Sequence, residues 1–361
     1  MGILSRILAN RPQPAEAPPK APTKKGAKST AKPKAAKAKE PKESRVNSNR
    51  AQFIDVKPRI VLKPAGKRPP VADKDFQIVI PTYRRPHRQI TLLELPPEIR
   101  ANTLVLTSDW DEAKEIRRYY KHDLVWAVDD PSVDGIAKKR QWIIENVRSE
   151  NIFQMDDDMY FFRRCPMSMR EWHGTEKSGQ WRVTDEAMEK GVTFLFKDGF
   201  DDKQRTAAWK ALRKLMVEDG YAHTCISSRM MNNAVREELK IVGRAMHAIG
   251  HHRRTLLDNG IRFDEVRFRE DFNVTLHLLK LGYPNAIMQN LVINPLDFGA
   301  EGGVSTERTM EASNAEAFRL AKIHPGLVRV QDRKYSTSEV RQEVVVSWTK
   351  AYTGDDYRTN Q

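Results

Sequence analysis

Four short apolar runs, each closed by a turn former or an acid, constrain this chain's fold more than any other feature. Phe76-Gln77-Ile78-Val79-Ile80 stops at Pro81, and Thr103-Leu104-Val105-Leu106-Thr107 stops at Ser108-Asp109. His122 to Val128 is the third run, and Asn151 to Met155, which climbs into Asp156-Asp157-Asp158, is the fourth. Runs of this length without polar alternation suit strands buried on both faces. The stretches between them carry helical spacing: Asp111 to Tyr120, then Gly135 to Val147 with Ile136, Trp142, Ile143 and Val147 on one side. Strands alternating with helices predict an α/β fold with a mostly parallel sheet flanked by helices. Ligands of such sheets lie at the carboxyl ends of the strands. Pro81-Thr82-Tyr83-Arg84, Ser108-Asp109 and Asp156-Asp157-Asp158 all fall at those ends. No Gly-rich phosphate loop follows the first run, which argues against a dinucleotide or P-loop site.

Three carboxylates leaving a buried strand are costly unless a cation compensates them. Oxygen ligands of this kind suit Mg²⁺ or Mn²⁺, with further ligands supplied by substrate phosphates. An acidic turn capping the next helix would account for the same three residues. A second acidic landmark, Glu270-Asp271, opens a helix expected from about Asp271 to Leu281. Acids at a helix start serve equally well as caps, worth a few tenths to about 1 kcal/mol.

Elsewhere the organisation is coarser. Arg163 to Gly191 reads as a long excursion over the sheet, Gln204 to Val217 as an amphipathic helix, and Tyr221 to Ser227 as a strand. Gly299 to Thr309, rich in Gly, Ser and Thr, suits either a loop that closes over a ligand or a plain connection. A helix over Glu311 to Ile323 and a strand through Val344-Val345-Val346 complete the expectations.

The charge is segregated. The 361 residues carry a formal +14, and residues 1–70 hold 18 Lys or Arg against 4 Asp or Glu, together with 11 of the 20 prolines. That segment alone accounts for the net charge, and its composition predicts a disordered basic tail. Such an arm binds polyanions by counterion release, so nucleic acid is its natural partner, ahead of a solubilising tether or an acidic membrane surface. No run approaches the ~20 apolar residues of a membrane span. The start has no signal-peptide core, and Cys165 and Cys225 have neither metal nor disulfide spacing. These features predict a soluble, cytoplasmic protein with no membrane partner. The expected divisions are the tail at 1–70, a catalytic domain at 75–325 and an extension at 326–361.

In order along the chain, these pieces resemble a known family. Pro-Thr-Tyr-Arg after the first strand, an Asp after the second, Gly-x-x-x-x-Arg at a helix start, Asp-x-Asp at the fourth strand and a late Glu-Asp look like a GT-A glycosyltransferase. Gly260 to Glu265, Arg269 to Leu276 and Gly282 to Asn285 are similar to the TET/JBP-associated glycosyltransferases found mainly in phages. The resemblance covers roughly residues 75–325. It implies a GT-A-like fold, a nucleotide-sugar donor, Mn²⁺ or Mg²⁺, and transfer to a hydroxymethylated pyrimidine in DNA within the host cytoplasm. It further implies Asp156 and Asp158 as metal ligands, with Asp156 also at the donor. Thr82, Arg84 and Asp109 would lie at the nucleoside, and Lys139 and Arg140 at the diphosphate. Asp271 would be the catalytic base of an inverting reaction, with Glu270 beside it. His324 is the one late candidate for a third metal ligand, and a helix-end residue otherwise. Trp172, Trp181 and Tyr221 could stack on an extruded base or simply be core or surface aromatics. Two other readings keep some of these features: a two-metal nuclease or nucleotidyltransferase, and a non-enzymatic DNA-packaging protein.

Overall fold

A computed structural model describes residues 68–175, 179–190, 195–196, 201–228, 237–295, 309–334 and 340–353. The basic tail up to residue 67 and most of the Gly299 to Thr309 loop lie outside the described residues. By its contacts the chain divides into residues 1–57 and 58–361, and everything described here belongs to the second unit.

The four apolar runs are strands, and the helical spacings are helices. In order come β1 (Phe76–Pro81), α1 (Ile90–Glu94), α2 (Pro97–Ala101), β2 (Leu104–Thr107), α3 (Trp110–Tyr120), β3 (Val125–Ala127), α4 (Ile136–Asn146) and β4 (Asn151–Met155). All six residues of β1 and all five of β4 are buried. There follow β5 (Met159–Arg164), β6 (Arg170–Gly174), β7 (Gly179–Val183), α5 (Asp185–Glu189), β8 (Leu195–Phe196), α6 (Asp202–Val217) and β9 (His223–Ser228). The remainder is β10 (Leu239–Ile241), β11 (Ala248–His252), α7 (Arg253–Asp258), α8 (Glu270–Lys280), β12 (Asn285–Pro295), α9 (Met310–Ile323), β13 (Val328–Lys334), β14 (Val340–Val346) and α10 (Trp348–Ala351).

Ten strands form one sheet in the order β3-β2-β1-β4-β11-β9-β12-β5-β8, with β10 also on β12. The sheet is mixed. Its first four strands run parallel, as alternation with helices requires. From β4 onward the neighbours are antiparallel, apart from the parallel β9–β12 pair. The excursion expected from Arg163 holds a separate two-stranded hairpin, β6–β7, with Trp172 opposite Trp181 and their rings 5.5 Å apart.

The sheet is covered on both faces. On one, Ile78, Phe153, Met155 and Phe161 pack on Trp209, Leu212 and Met216 of α6. On the other, Val79, Leu106 and Ile152 meet Ile143 of α4, Leu256 of α7 and Val274 and Leu278 of α8. The α6 contact leaves no room at Gly250 of β11. A Cβ there would stand 2.5 Å from Thr224 Oγ1, 2.6 Å from Met216 Sδ and 2.7 Å from Phe153 Cδ2. Overpacking a close-packed interior is destabilising. Gly250→Ala is therefore expected to cost about 1–3 kcal/mol, measured as a lower urea midpoint with an unchanged slope.

A third cluster joins Phe272, Leu276 and Leu279 of α8 to Leu320 of α9, Val328 of β13 and Ala351 of α10. The segment expected as an extension thus packs directly on the helix that Glu270 opens.

Candidate active site

Strand β4 lies between β1, parallel to it, and β11, antiparallel to it. The three acids after Met155 therefore emerge where β1 ends and β11 begins. The Asp156 amide extends the ladder by donating to His247 O at 3.1 Å. Each acid then meets a different environment.

Asp156 accepts from Arg140 Nη2 at 2.6 Å on one oxygen and from His247 Nδ1 at 2.9 Å on the other. Burial alone would raise its pKa, but Arg140 and His247 together bring it below the ordinary carboxylate range. Burial acts on His247 in the opposite sense. Its hydrogen bond to Asp156 outweighs that and leaves the imidazole with a raised pKa. Asp157 accepts from Thr82 Oγ1 at 2.6 Å and from Arg85 Nη1 at 3.1 Å. Burial nevertheless pushes it up to about 7, with Asp158 adding to the rise. Asp158 accepts from the same Arg85 Nη1 at 3.0 Å, and burial followed by the Asp156 charge raises it too.

The second acidic pair comes to the same place. Arg140, on α4, lies with Nε 3.3 Å from Glu270 Oε1 while Nη2 holds Asp156, and its side chain is 2% exposed. One buried guanidinium thus spans the two acidic landmarks that lie over a hundred residues apart in sequence. Burial, and then the neighbouring Asp271 charge, push Glu270 up to about 7. Asp271 Oδ1 accepts from the Phe272 amide at 2.8 Å inside the first turn, whereas the N-cap position is Arg269, which makes no side-chain cap bond. Glu270 faces Arg140 while its carboxylate also accepts from its own backbone amide at the helix start.

The remaining expected residues fall at the ends of β1 and β2. Lys139 Nζ, buried, donates to Thr82 O at 2.6 Å and Ser108 Oγ at 2.8 Å, and burial lowers its pKa to about 8. Arg84 lies 4.8 Å over the Tyr83 ring, with a left-handed backbone at φ 55°. Asp109 caps α3, with Oδ1 accepting from the Asp111 and Glu112 amides. These three surround the strand ends beside the acids, without touching them. His324 is not near them. It ends α9, fully buried, and donates through Nε2 to Asn273 Oδ1 at 2.8 Å. The helix-end reading therefore describes it.

Two site residues have no counterpart in the sequence reading. Arg85, beside Arg84, is the residue that reaches the acids, and the Arg84-Arg85 doublet was a signal that did not say which member turns inward. His247 sits before β11 in a left-handed conformation, φ 64°. Arg269, directly before Glu270, is left-handed as well, φ 65°. Non-glycine residues held this way cost of order 1–3 kcal/mol and cluster at functional sites.

Residues 76–284 match the TET-Associated Glycosyltransferase family, more than half of the chain. The chain belongs to this family. This TET-associated glycosyltransferase has the α/β sheet flanked by helices expected from its sequence, with Asp156, Asp157 and Asp158 at the carboxyl end of a parallel strand. Among the curated proteins compared, none matches it.

Solved structures similar to it include TarS 1–349 of S. aureus, at 12% identity and TM-score 0.36, over 68% of this chain and 65% of that one. Glucosyl-3-phosphoglycerate synthase of Mycobacterium tuberculosis, with Mn²⁺, UDP and phosphoglyceric acid, matches at 10% identity and TM-score 0.39, over 76% and 88%. The mannosyltransferase PcManGT of Pyrobaculum calidifontis, with GDP-Man and Mn²⁺, matches at 14% and 0.41, over 71% and 68%. The chain spans 65% of TarS 1–349 and 40% of the longer TarS structure. Among the described residues, no helix is long and apolar enough to cross a membrane.

Proposed function

We propose that this glycosyltransferase moves a sugar from a nucleotide-sugar donor onto a hydroxymethylated pyrimidine base in DNA, with a divalent metal and inversion at the anomeric carbon. The observation that carries the reading is Arg140, which holds Asp156 and Glu270 on one guanidinium and so sets the acids after β4 beside the acids that open α8. A donor site and a proton acceptor are what sugar transfer requires side by side.

The residues fit a hard divalent cation. The oxygens of Asp158 are suitable donors, and those of Asp156, one held by Arg140 and the other by His247, would donate through their remaining lone pairs. Among the described residues, no three His, Cys, Asp or Glu side chains already form a metal cage. That arrangement suits an ion whose other ligands come from substrate phosphates. Bound by Asp156 and Asp158, Mn²⁺ or Mg²⁺ would neutralise charge developing on the diphosphate leaving group.

The protein's own groups supply the rest. Arg140 and His247 fix the orientation of Asp156. Thr82, Arg84 and Asp109 would form the nucleoside end of the donor site, with Lys139 joining Thr82 O to Ser108 Oγ beside them. Asp271 keeps Oδ1 on the Phe272 amide, leaving Oδ2 to take the proton of the acceptor hydroxyl as its oxygen attacks the anomeric carbon. The electron pair of the breaking bond leaves on the diphosphate. A carboxylate is an adequate base because the hydroxyl acidifies as it attacks. Residues 1–70, which carry the whole net charge, would hold DNA through its phosphates while a near-neutral domain samples bases. The hydroxymethyl group of the acceptor points into the major groove, so the enzyme must reach in or extrude the base.

The test is purified protein with Mn²⁺ or Mg²⁺, a panel of nucleotide sugars and hydroxymethylcytosine-containing duplex, read by nucleoside mass spectrometry. A new glycosylated nucleoside is expected, lost with EDTA and reduced at least ~100-fold by Asp158→Asn, the scale on which loss of a preorganised charge-stabilising group acts. Strand cleavage without any donor would favour a nuclease, and compaction without chemistry a packaging protein.

A further inference from the structure

The charge that the metal would neutralise is already partly neutralised from inside. Arg85 Nη1 sits 3.1 Å from Asp157 Oδ1 and 3.0 Å from Asp158 Oδ2, and its side chain is 10% exposed. The two carboxylates are not equivalent partners. Asp157 is 8% exposed and its other oxygen accepts from Thr82 Oγ1 at 2.6 Å, so both its oxygens are committed to the protein. Thr82 is held in turn by Gln89 Nε2 at 2.9 Å. Asp158 is more open, at 18%, and among the described residues Arg85 is its one hydrogen-bond partner.

We propose that Arg85 is a resident counter-cation that a divalent metal displaces from Asp158, while Asp157 stays as its fixed anchor. The proposal rests on the reading that the metal binds Asp156 and Asp158. Arg85 is the one hydrogen-bond partner of Asp158 among the described residues and has a second carboxylate, Asp157, to fall back on. Repulsion between the guanidinium and an arriving divalent ion is therefore relieved by its leaving Asp158.

The backbone is built for such an exchange. The Arg85 amide donates to Glu112 Oε1 at 3.0 Å, and its carbonyl accepts from Gln89 Nε2 at 2.9 Å. The main chain is therefore pinned on both sides, and the exchange is confined to the long side chain. Arg85 acts as a positioning residue. Without metal it keeps Asp158 oriented and compensated. With metal it stands beside the ion, where an anionic diphosphate arrives. The cost is metal affinity, because every ion must first compete with it.

The test is Mn²⁺ binding to the full-length protein without donor, followed by electron paramagnetic resonance of the free ion. Arg85→Gln keeps a hydrogen-bond donor for Asp157 and removes the charge. It is expected to tighten Mn²⁺ at least ~5-fold, the lower end of ordinary coupling between two ligands, and the gain should vanish in the Asp158→Asn background. Unchanged or weaker Mn²⁺ binding by Arg85→Gln, with binding still dependent on Asp158, overturns the exchange and leaves the metal site standing. Equal binding by the unmodified protein and by Asp158→Asn overturns the metal site, and the exchange with it. Should Arg85→Gln not fold, a crystal structure of the unmodified protein soaked in Mn²⁺ decides. Arg85 is expected to have left Asp158 but not Asp157, and an intact Arg85–Asp158 pair beside a bound ion overturns the proposal.

Discussion

Arg140→Met unfolds about 3–5 kcal/mol more easily than the unmodified protein, the usual penalty for removing one partner of a buried ion pair. Met fills the volume of the aliphatic stem but leaves Asp156 without its 2.6 Å partner and Glu270 without its nearby cation. The pH dependence separates the two losses. Asp156 has a folded pKa depressed below its ordinary value, so its pairing contributes stability above the unfolded carboxylate pKa. That contribution disappears as pH falls through the folded value. Glu270 behaves oppositely. Its pKa is raised to about 7, so ionisation opposes folding as pH rises toward that value. The Arg140→Met penalty should therefore be smallest in acid, grow as Asp156 ionises, and grow again above about pH 7 as Glu270 is forced to ionise without its cation. Urea denaturation at pH 4, 6 and 8 measures this. A penalty that is flat with pH would mean that lost packing, rather than charge, dominates.

Asp271→Asn removes the proposed proton acceptor while preserving the shape of the side chain and its contact with the Phe272 amide. General-base catalysis contributes about 10²–10⁴-fold, so kcat for sugar transfer should fall by that factor with little change in the KM for the donor. Glu270→Gln is expected to cost less rate, because Glu270 faces Arg140 and is held there as an ion-pair partner. Initial rates of both variants at saturating donor decide between them. If Glu270→Gln proves the more damaging change, the proton goes to Glu270 and Asp271 is its support.

How much of this was legible follows from how local each signal is. Strands β1, β2, β3 and β4 and helices α3 and α4 were readable because each lies in one continuous stretch, and burial on both faces leaves a run that is apolar throughout. The antiparallel half was harder. Strand β11, Ala248–His252, contains Gly250 and two histidines and shows no apolar run, since its place is fixed by neighbours on β4 and β9. The three acids after β4 and the pair opening α8 were visible as compositional oddities. That one arginine joins them was not, because it is a property of how α4 and α8 cross the same sheet face. Asp109 also has a local duty that sequence alone did not separate from a ligand role. It stands where a ligand contact was expected, yet its Oδ1 is committed to the start of α3. His247 carried no signal at all, as its role depends on a left-handed turn and on Asp156 across the strand gap.

Helix α8 has two employers. Its first turn presents Glu270 and Asp271 to the site, while Phe272, Leu276 and Leu279 are packed by Leu320, Val328 and Ala351, with Phe272 edge-on to Trp348 at 5.2 Å. A ribosome delivers those last packing residues well after it has delivered every acid of the site. A nascent chain that had reached only residue 325 would already contain Asp156, Asp158, Glu270, Asp271 and Leu320, yet lack Val328, Trp348 and Ala351, the part of the wall that closes α8 from the C-terminal side.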